Sequence, residues 1–267
     1  MGNSDGLFFL ISLCSAGCRI KSKAPYWIQT HGGSLGGRVV GWEGGALLLG
    51  GDQHLWCYPG TWATPWVPRD QSRALRAIAA AKQSAYGLFT DGRVARFSGG
   101  WSPTSGGGWS AIEGSAAWGA SELSMTDDGH LLLIANGKLR VLEGGALKSL
   151  DCDALDTVAV AGTHGDGAFV LDAAGALYFN GAGRCDKINA PVPLQRIAAN
   201  SDRLLAVAVD GSVWRRRANV WSRLPAPSKY RTGQTATDKQ AQDVGVSAYS
   251  TWLVDAEGAV FLLSDET

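Results

Sequence analysis

The sequence predicts an all-β fold, a six-bladed β-propeller that forms a single domain over residues 1–267. A strand–turn–strand unit recurs six times, and each unit is an apolar run, a short polar turn and a second apolar or alternating run. The equivalent turn positions are Gln53, Gly92, Gly137, Gly175, Gly211 and Gly258. Their spacing averages about 41 residues, which is the period of a propeller blade with four short strands.

The composition agrees with this prediction. The chain has 36 glycines, 11 tryptophans and only two methionines, as expected of turns and aromatic-rich strands rather than helices. A chain of 267 residues could form one large or two small domains. A propeller is one closed ring, so a single domain is favoured. The formal net charge of zero gives no general attraction to nucleic acid or to membranes.

Each repeat supplies strands at predictable places. The hairpins span 46–58, 85–97, 131–142, 168–180, 204–216 and 251–263. Small apolar residues precede the hairpins and predict the innermost strands, at 38–42, 76–81, 157–162, 196–200 and 243–248. Residues 72–82 also fit a short helix, but the related run at 196–200 favours a strand. Tryptophan-bearing segments at 60–66, 99–104 and 219–225 predict outer strands whose indoles wedge between blades.

The two ends of the chain are expected to share one blade. The last hairpin ends at Leu263, so the final blade lacks its outer strand, and the apolar run Leu7–Leu13 is predicted to supply it. This arrangement would close the ring and protect an open sheet edge. If Asp5 and Gly6 formed another turn, the ring would have seven blades. Six are preferred, because too few residues lie between Gly258 and Gly6 across the join.

The five cysteines do not resemble a disulfide framework, because their number is odd and their spacing is scattered. Free thiols are therefore expected, and they favour an intracellular, cytoplasmic protein. Residues 7–18 resemble the apolar core of an export signal that ends in a lipoprotein-type Ser-Ala-Gly-Cys sequence, so a secreted or lipoprotein form is the alternative. The preceding residues contain no Lys or Arg, and the apolar run is too short to span a bilayer.

Two segments resemble known propeller families. Residues 77–97 and 196–216 resemble repeats of the regulator-of-chromosome-condensation type, with a small inner strand, a polar turn and an Asp-Gly-x-Val hairpin, although the Gly-Gln-Leu-Gly ending of that family is missing. Residues 108–145 resemble a tectonin repeat, with Trp-x-x-Ile-x-Gly, Asp-Gly and an Asn-Gly hairpin. The first resemblance implies protein–protein docking. The second implies a glycan-binding lectin with shallow sites between blades.

The residue patterns of common catalytic and metal sites are missing from the sequence. The four histidines have no Cys, His or carboxylate partner at ligand spacing, and neither a phosphate-binding loop nor a G-x-S-x-G elbow occurs. The acidic run 151–156 lacks the glycine and the distal glutamate of an EF-hand loop. We therefore expect no catalytic residues, no metal and no cofactor, and a protein that is not an enzyme.

The binding residues are expected in two stretches that exceed the repeat, 98–119 and 223–243, because long loops on a regular scaffold tend to carry function. Between Arg184 and Lys239 there are eleven basic and four acidic residues. We predict that this basic sector docks an acidic protein surface. A glycan is the alternative ligand, and binding to nucleic acid is not favoured. The candidate contact residues are Trp101, Trp109, Trp118, Arg215, Arg217, Trp221, Lys229, Tyr230 and Arg231.

Overall fold

The computed structural model describes residues 26–31, 36–42, 45–58, 66–70, 73–82, 84–99, 107–164, 167–227, 240–247 and 249–264. These residues form six antiparallel sheets of four strands each, with two short 3-10 helices. The predicted six-bladed propeller is confirmed, and the described strands leave none over for a seventh blade.

The strands follow the chain blade by blade. The first strand, β1 (Tyr26–His31), precedes the first complete blade. Blade 1 contains β2 (Arg38–Trp42), β3 (Gly45–Leu49), β4 (Leu55–Tyr58) and β5 (Val67–Asp70). Blade 2 contains β6 (Leu75–Ala81), β7 (Ser84–Phe89), β8 (Val94–Gly99) and β9 (Gly107–Ala111). Blade 3 contains β10 (Ala120–Met125), β11 (Leu131–Ala135), β12 (Lys138–Glu143) and β13 (Ala146–Ser149).

The remaining blades repeat this arrangement. Blade 4 contains β14 (Thr157–Gly162), β15 (Ala168–Asp172), β16 (Leu177–Gly181) and β17 (Arg184–Ile188). Blade 5 contains β18 (Leu194–Ala199), β19 (Arg203–Ala208), β20 (Val213–Arg217) and β21 (Val220–Arg223). Blade 6 contains β22 (Ala241–Val246), β23 (Thr251–Asp255), β24 (Val260–Ser264) and β1. The 3-10 helices, Ser115–Trp118 and Asp151–Ala154, connect blade 2 to blade 3 and blade 3 to blade 4.

The innermost strands form the ring around the central channel. They are β2, β6, β10, β14, β18 and β22, and each contacts the next, with β22 beside β2. Glycines on the innermost strands let the backbones of blades 1 and 6 lie close together. A Cβ on Gly245 would lie 2.5 Å from the Val39 carbonyl oxygen, and one on Gly41 would lie 2.7 Å from the Ser247 nitrogen. The expected strand at 76–81 is confirmed as part of β6, and the helical alternative is wrong.

The six aligned turn positions all adopt the left-handed backbone conformation. Their φ angles are 65° at Gln53, 85° at Gly92, 73° at Gly137, 78° at Gly175, 78° at Gly211 and 81° at Gly258. Glycine reaches this region without the steric cost of a Cβ, which explains its use in five of the six turns. The repeat read from the sequence is therefore a repeat of backbone geometry.

An N-terminal strand closes the ring, as predicted, but it is β1 rather than Leu7–Leu13. β1 pairs antiparallel with β24, with Trp27 opposite Leu263. Trp27 is buried, and its Nε1 donates to the Pro225 carbonyl at 2.8 Å. Only six residues separate β1 from β2, in keeping with the short connections of compact domains. The run Leu7–Leu13 lies outside the described residues.

The apolar core is divided into six clusters, and each joins two neighbouring blades. The expected wedging is observed for Trp66, in the cluster between blades 1 and 6, and for Trp221, which packs on the cluster between blades 4 and 5. Trp109, which is outside the predicted segments, packs in the same way between blades 1 and 2. The predicted positions of two outer strands are wrong. The outer strand of blade 1 is β5, after the segment 60–66, and that of blade 2 is β9, after the segment 99–104.

The expectation of free thiols is wrong for two cysteines. Cys152 and Cys185 form a disulfide with a Cα–Cα distance of 5.1 Å. The bond ties the second 3-10 helix to β17, the outer strand of blade 4. Spacing alone could not reveal it, because the partners are 33 positions apart in the sequence and three strands, β14, β15 and β16, lie between them. Cys57 is outside this disulfide and buried, and burial raises the pKa of its thiol to about 11.

Candidate binding sites

The propeller has two faces with different constructions. The turn face carries the six left-handed turns and the N-terminal ends of the innermost strands. The loop face carries the segments that follow the innermost strands. Hydrogen bonds join these segments between blades: the Ser201 nitrogen donates to Asp127 Oδ2 at 2.6 Å, and Asn200 Nδ2 donates to the Ser247 carbonyl at 2.8 Å.

An open cleft lies on the loop face between blades 4 and 5, with a volume of about 270 Å³. We call it the 4–5 cleft. Its lining includes two aromatic rings, a guanidinium and several uncharged polar groups: Phe169, Phe179, Arg216, Thr163, Asn200 and Asn219. Asp202 lines its rim and forms no ion pair with Arg216. The cleft thus offers an apolar wall beside a cation.

Strand alternation decides which arginine of β20 reaches the 4–5 cleft. Arg216 is opposite Leu204, which packs in the cluster shared by blades 4 and 5. Arg215 is opposite Leu205, which packs in the cluster shared by blades 5 and 6. Successive side chains of a strand point to opposite faces. Arg215 and Arg217 therefore face blade 6, and Arg216 faces blade 4.

Arg216 is held in place without an acidic partner. Its guanidinium carbon lies 5.8 Å from the centre of the Phe169 ring, and that ring packs on Phe179 at 5.0 Å. Nη2 donates to Asn219 Oδ1 at 2.7 Å, and Arg216 forms no ion pair with any described carboxylate. Burial lowers the pKa of the guanidinium from its ordinary value. A partly buried cation without a counter-ion is a site where an anionic group would be stabilised.

The outer edge of blade 5 continues from this cleft. The tight turn Ala218–Asn219, with φ angles of 45° and 67°, joins β20 to the edge strand β21. On this edge Val220 is 68% exposed, and Arg217 and Arg223 are exposed. Neither of these two arginines forms an ion pair within the part of the chain that the structure describes. Among the described residues, blade 5 therefore presents a basic, exposed sheet edge next to the 4–5 cleft.

The central channel contains a second group of charges. Arg38, Glu122, Arg196 and Asp243 occupy equivalent positions near the start of their innermost strands, on blades 1, 3, 5 and 6. Arg38 Nη1 forms an ion pair with Glu122 Oε1. Asp243 Oδ2 accepts a hydrogen bond from the Val39 nitrogen at 2.8 Å. These groups line the channel from its turn-face mouth inward.

The carboxyl of Asp243 is the most strongly perturbed group in the channel. Burial raises its pKa to about 6, although nearby Arg38 and Arg196 and the Val39 hydrogen bond act to lower it. The negative charge of Glu122 adds to the rise. Asp243 therefore changes charge in mildly acidic solution, where an ordinary aspartate is ionised.

The tryptophans predicted from the 98–119 stretch lie on and after blade 2. The Trp109 ring packs edge-on against Phe97 and Phe89, with centroid distances of 5.1 and 5.6 Å, so its main contacts are structural. Trp118 is in the first 3-10 helix and packs against the cluster between blades 2 and 3. Trp101 lies outside the described residues.

The predicted residues of the basic sector lie on blade 5. Arg215 and Arg217 are on β20, and Trp221 on β21 donates from Nε1 to the Asn189 carbonyl at 2.9 Å. Lys229, Tyr230 and Arg231 lie outside the described residues. Blades 2 and 5 are opposite each other in the ring, so the structure does not bring the two predicted groups together.

Sequence reasoning missed the channel charges, although a signal for them existed. Arg38, Arg196 and Asp243 each begin a run of small apolar residues, where a charged side chain is out of place. Arg216 is not among the candidate residues from sequence, and only the fold shows that Phe169, 47 positions earlier, lies beneath its guanidinium.

The described residues contain no group of three or more His, Cys, Asp or Glu side chains arranged to hold a metal ion. They also contain no helix long and apolar enough to cross a membrane.

Comparison with known proteins identifies the fold but no family. No protein-family model matches the sequence, and no curated protein matches it. Solved structures do match. YCF48 from Cyanidioschyzon merolae is 10% identical, with a TM-score of 0.57 over 89% of this chain and 98% of that one. A putative gluconolactonase is 13% identical, with a TM-score of 0.55 over 90% and 91%.

A third match bears on the family resemblance. The matched chain in the structure of Kap60 bound to yeast RCC1 (Prp20) has 11% sequence identity to this chain. The TM-score is 0.53, and the match covers 84% of this chain and 68% of that one. Propellers of the regulator-of-chromosome-condensation type are thus among the structural neighbours. At such low identity these likenesses show the propeller fold alone. The tectonin resemblance is not confirmed.

Proposed function

We propose that this chain is a non-catalytic propeller that binds an acidic segment of a partner protein through the 4–5 cleft and the adjoining edge of blade 5. The observation that carries the proposal is Arg216. Its guanidinium is partly buried, rests on Phe169, and forms no ion pair with a described carboxylate. A carboxylate from a partner would supply the missing counter-charge.

The geometry of Arg216 favours a carboxylate. The guanidinium is a planar fork that can donate two parallel hydrogen bonds to one carboxylate. Its contact with Asn219 and its position over Phe169 restrict the fork before any ligand arrives. Pre-organisation lowers the entropy lost on binding. Phe169 and Phe179 also offer an apolar surface to a neighbouring side chain of the same segment.

The edge of blade 5 would extend the contact. Arg217, Arg223 and the exposed Val220 lie on the strand and turn that border the cleft. An extended acidic peptide could follow this edge, since an outermost strand offers unpaired backbone groups. Arg215, Trp221 and the loop residues Lys229, Tyr230 and Arg231 are proposed as further contacts. Trp109 and Trp118, on the opposite side of the ring, would belong to a second patch, and Trp101 is proposed to join them.

Two rival functions have less support. A lectin of the tectonin kind should repeat an exposed aromatic pocket around the ring, but none of the described tryptophans is exposed. A glycan-array screen with the Trp109→Ala variant alongside tests this alternative. A hydrolase should gather His and carboxylates at one rim of the channel, and the described residues form no such group of three. The fold itself does not decide, because it also occurs in the putative gluconolactonase.

The experiment measures binding of a fluorescein-labelled Glu-rich peptide by fluorescence anisotropy. A Gln-rich peptide of the same length is the ligand control. Arg216→Gln should weaken binding at least tenfold, as expected for one charge-assisted hydrogen-bonded pair. Arg184→Gln is the matched protein control, because Arg184 is exposed on β17 and already paired with Asp186. Equal loss in both variants, or no binding by the wild type, would reject the proposal.

A further inference from the structure

A second cavity lies on the turn face, at the mouth of the central channel and away from the 4–5 cleft. Its volume is about 250 Å³. Two arginines and two amides from different blades line it: Arg76, Arg196, Gln53 and Gln242. Arg38 and Asp243 form its inner part, where it continues into the channel.

The two outer arginines have hydrogen-bond donors to spare. Arg76 Nη2 donates to the Ala120 carbonyl at 3.2 Å, and Arg196 Nη1 donates to the Gln195 carbonyl at 3.1 Å. Neither forms an ion pair with a carboxylate in the described parts of the chain. Each guanidinium has five N–H donors, so a single carbonyl leaves most of the fork available. The two blades that carry them are opposite each other in the ring.

The acidic groups beneath do not cancel these charges. Glu122 is paired with Arg38. Asp243 is buried and is faced by Arg38 of β2, Glu122 of β10 and Arg196 of β18, and it accepts a hydrogen bond from Val39. At neutral pH the mouth has three guanidinium groups and two carboxyl groups. When Asp243 takes up a proton, the positive excess grows further.

We propose that the turn-face mouth of the channel binds a small molecule through its carboxylate group, held between Arg76 and Arg196. The forked guanidinium groups match the two carboxylate oxygens, and Gln53 and Gln242 add amide donors at the same opening. A single carboxylate fits better than a dianionic phosphate, because Glu122 and Asp243 lie just below and repel a second negative charge.

The site should respond to pH through Asp243. Its pKa is raised to about 6 by burial, so acidification through that value removes a negative charge from the floor of the mouth. Carboxylate binding should therefore tighten roughly threefold to tenfold between about pH 7.5 and about pH 5, as expected for one neighbouring charge in a partly solvated site. Asp243→Asn should bind equally well at both pH values.

The test is isothermal titration calorimetry with lactate, a monocarboxylate that stays ionised across this pH range, as the probe and uncharged lactamide as the ligand control. Arg196→Gln and Arg76→Gln should each weaken lactate binding roughly tenfold or more. Arg93→Gln is the matched control, because Arg93 lies on the same face but is paired with Asp91 on an exposed turn. Thermal melting of each variant verifies that it folds, and Arg76 is exposed enough to be replaced without opening the core.

Three results would overturn the proposal. The first is the absence of saturable lactate binding by folded wild-type protein. The second is equal binding of lactate and lactamide, or equal loss in the Arg93→Gln control. The third is tighter binding of inorganic phosphate than of lactate, which contradicts a site built for one carboxylate. None of these results bears on peptide binding at the 4–5 cleft, so the two proposals fail independently.

Discussion

At the scale of single residues, the channel shows how the fold changes the chemistry of an ordinary side chain. Asp243 begins a run of small apolar residues, but nothing in the sequence shows which groups surround its carboxyl. Its position on the innermost strand of blade 6 places it against blade 1, where it is 8% exposed and bonded to the Val39 nitrogen. The cost of burying its charge follows from that position and not from its neighbours in the chain.

This burial predicts a pH-dependent contribution to stability. The pKa of Asp243 is about 6 in the folded state, against an ordinary value of 3.8. Between these values the folded state binds more protons than the unfolded state, so this group lowers stability as the pH rises from about 4 to about 6. The slope cannot exceed about 1.4 kcal/mol per pH unit.

Urea unfolding of wild type and Asp243→Asn across this pH range tests that contribution. Asparagine keeps an oxygen that can accept from Val39 but has no charge to bury. The variant should gain stability relative to wild type as the pH rises through the window. A constant difference between the two proteins would show that Asp243 titrates as in the unfolded chain, and a trend of opposite sign would show that folding lowers its pKa. Either result would contradict the prediction.

The arginines of β20 mark the limit of residue-scale prediction. The alternation of a strand separates Arg216 from Arg215 and Arg217, and that much follows from sequence. Which face holds an open cleft does not follow, because the cleft depends on Phe169 and Phe179 of the neighbouring blade. The candidate residues chosen from sequence therefore included Arg215 and Arg217 and left out Arg216.

At the scale of elements, the hairpins were predictable because their turns need a left-handed residue. Gly175 and Gly183 share this conformation, with φ angles of 78° and 71°, but differ in space. A Cβ on Gly175 would lie 2.6 Å from the Leu194 carbonyl oxygen, whereas one on Gly183 would meet nothing within 4 Å. Gly175→Ala should therefore destabilise the protein by at least about 1 kcal/mol more than Gly183→Ala.

Equilibrium denaturation of the two alanine variants measures this difference. Both variants place an alanine in the left-handed conformation, at the same energetic cost. The difference between their free energies of unfolding therefore measures the steric clash between the β15–β16 turn and the next blade. Equal free energies of unfolding would mean that the backbone at Leu194 moves aside freely.

The disulfide is an element-scale feature that the sequence concealed. It links Cys152 and Cys185 across 33 residues, and closing a loop of that length stabilises a fold by roughly 3–4 kcal/mol in the chain-entropy estimate. The double variant Cys152→Ser/Cys185→Ser should lose stability of this order in urea unfolding. Disulfides persist mainly in oxidising compartments, so the bond weakens the argument for an intracellular location that rested on free thiols.

Adding a reductant provides the control for this prediction. It should destabilise the wild type towards the level of the double variant and leave the double variant unchanged. Peptide mapping by mass spectrometry that finds both thiols free in protein purified without reductant would contradict the bond itself.

Outer strands were predicted less well than inner ones. β5 and β9 follow the tryptophan segments that were expected to form them, because these strands are specified by pairing with β4 and β8 rather than by a pattern of their own. β9, for example, has the sequence Gly-Gly-Trp-Ser-Ala and little intrinsic preference for a strand. Tertiary pairing decided where these elements lie.

At the scale of the whole molecule, the sequence predicts that an N-terminal strand closes the ring, but it does not predict which residues form that strand. An unpaired β24 requires a partner, and the chain before blade 1 is the segment that can reach it. β1 fills this role through its pairing with β24 and the buried Trp27. YCF48 shares the propeller fold at only 10% identity, so this fold tolerates wide changes in sequence. Binding surfaces are not carried by the ring, and they require the side chains of this chain.

The measurement that tests the central claim most directly is hydrogen–deuterium exchange with and without the Glu-rich peptide. Binding at the 4–5 cleft and the edge of blade 5 should slow exchange in the segments around 163–169 and 200–223, and this protection should be lost in Arg216→Gln but kept in Arg184→Gln. Protection confined to blade 2, spread evenly over all six blades, or unchanged by Arg216→Gln would contradict the assignment of this cleft as the docking site.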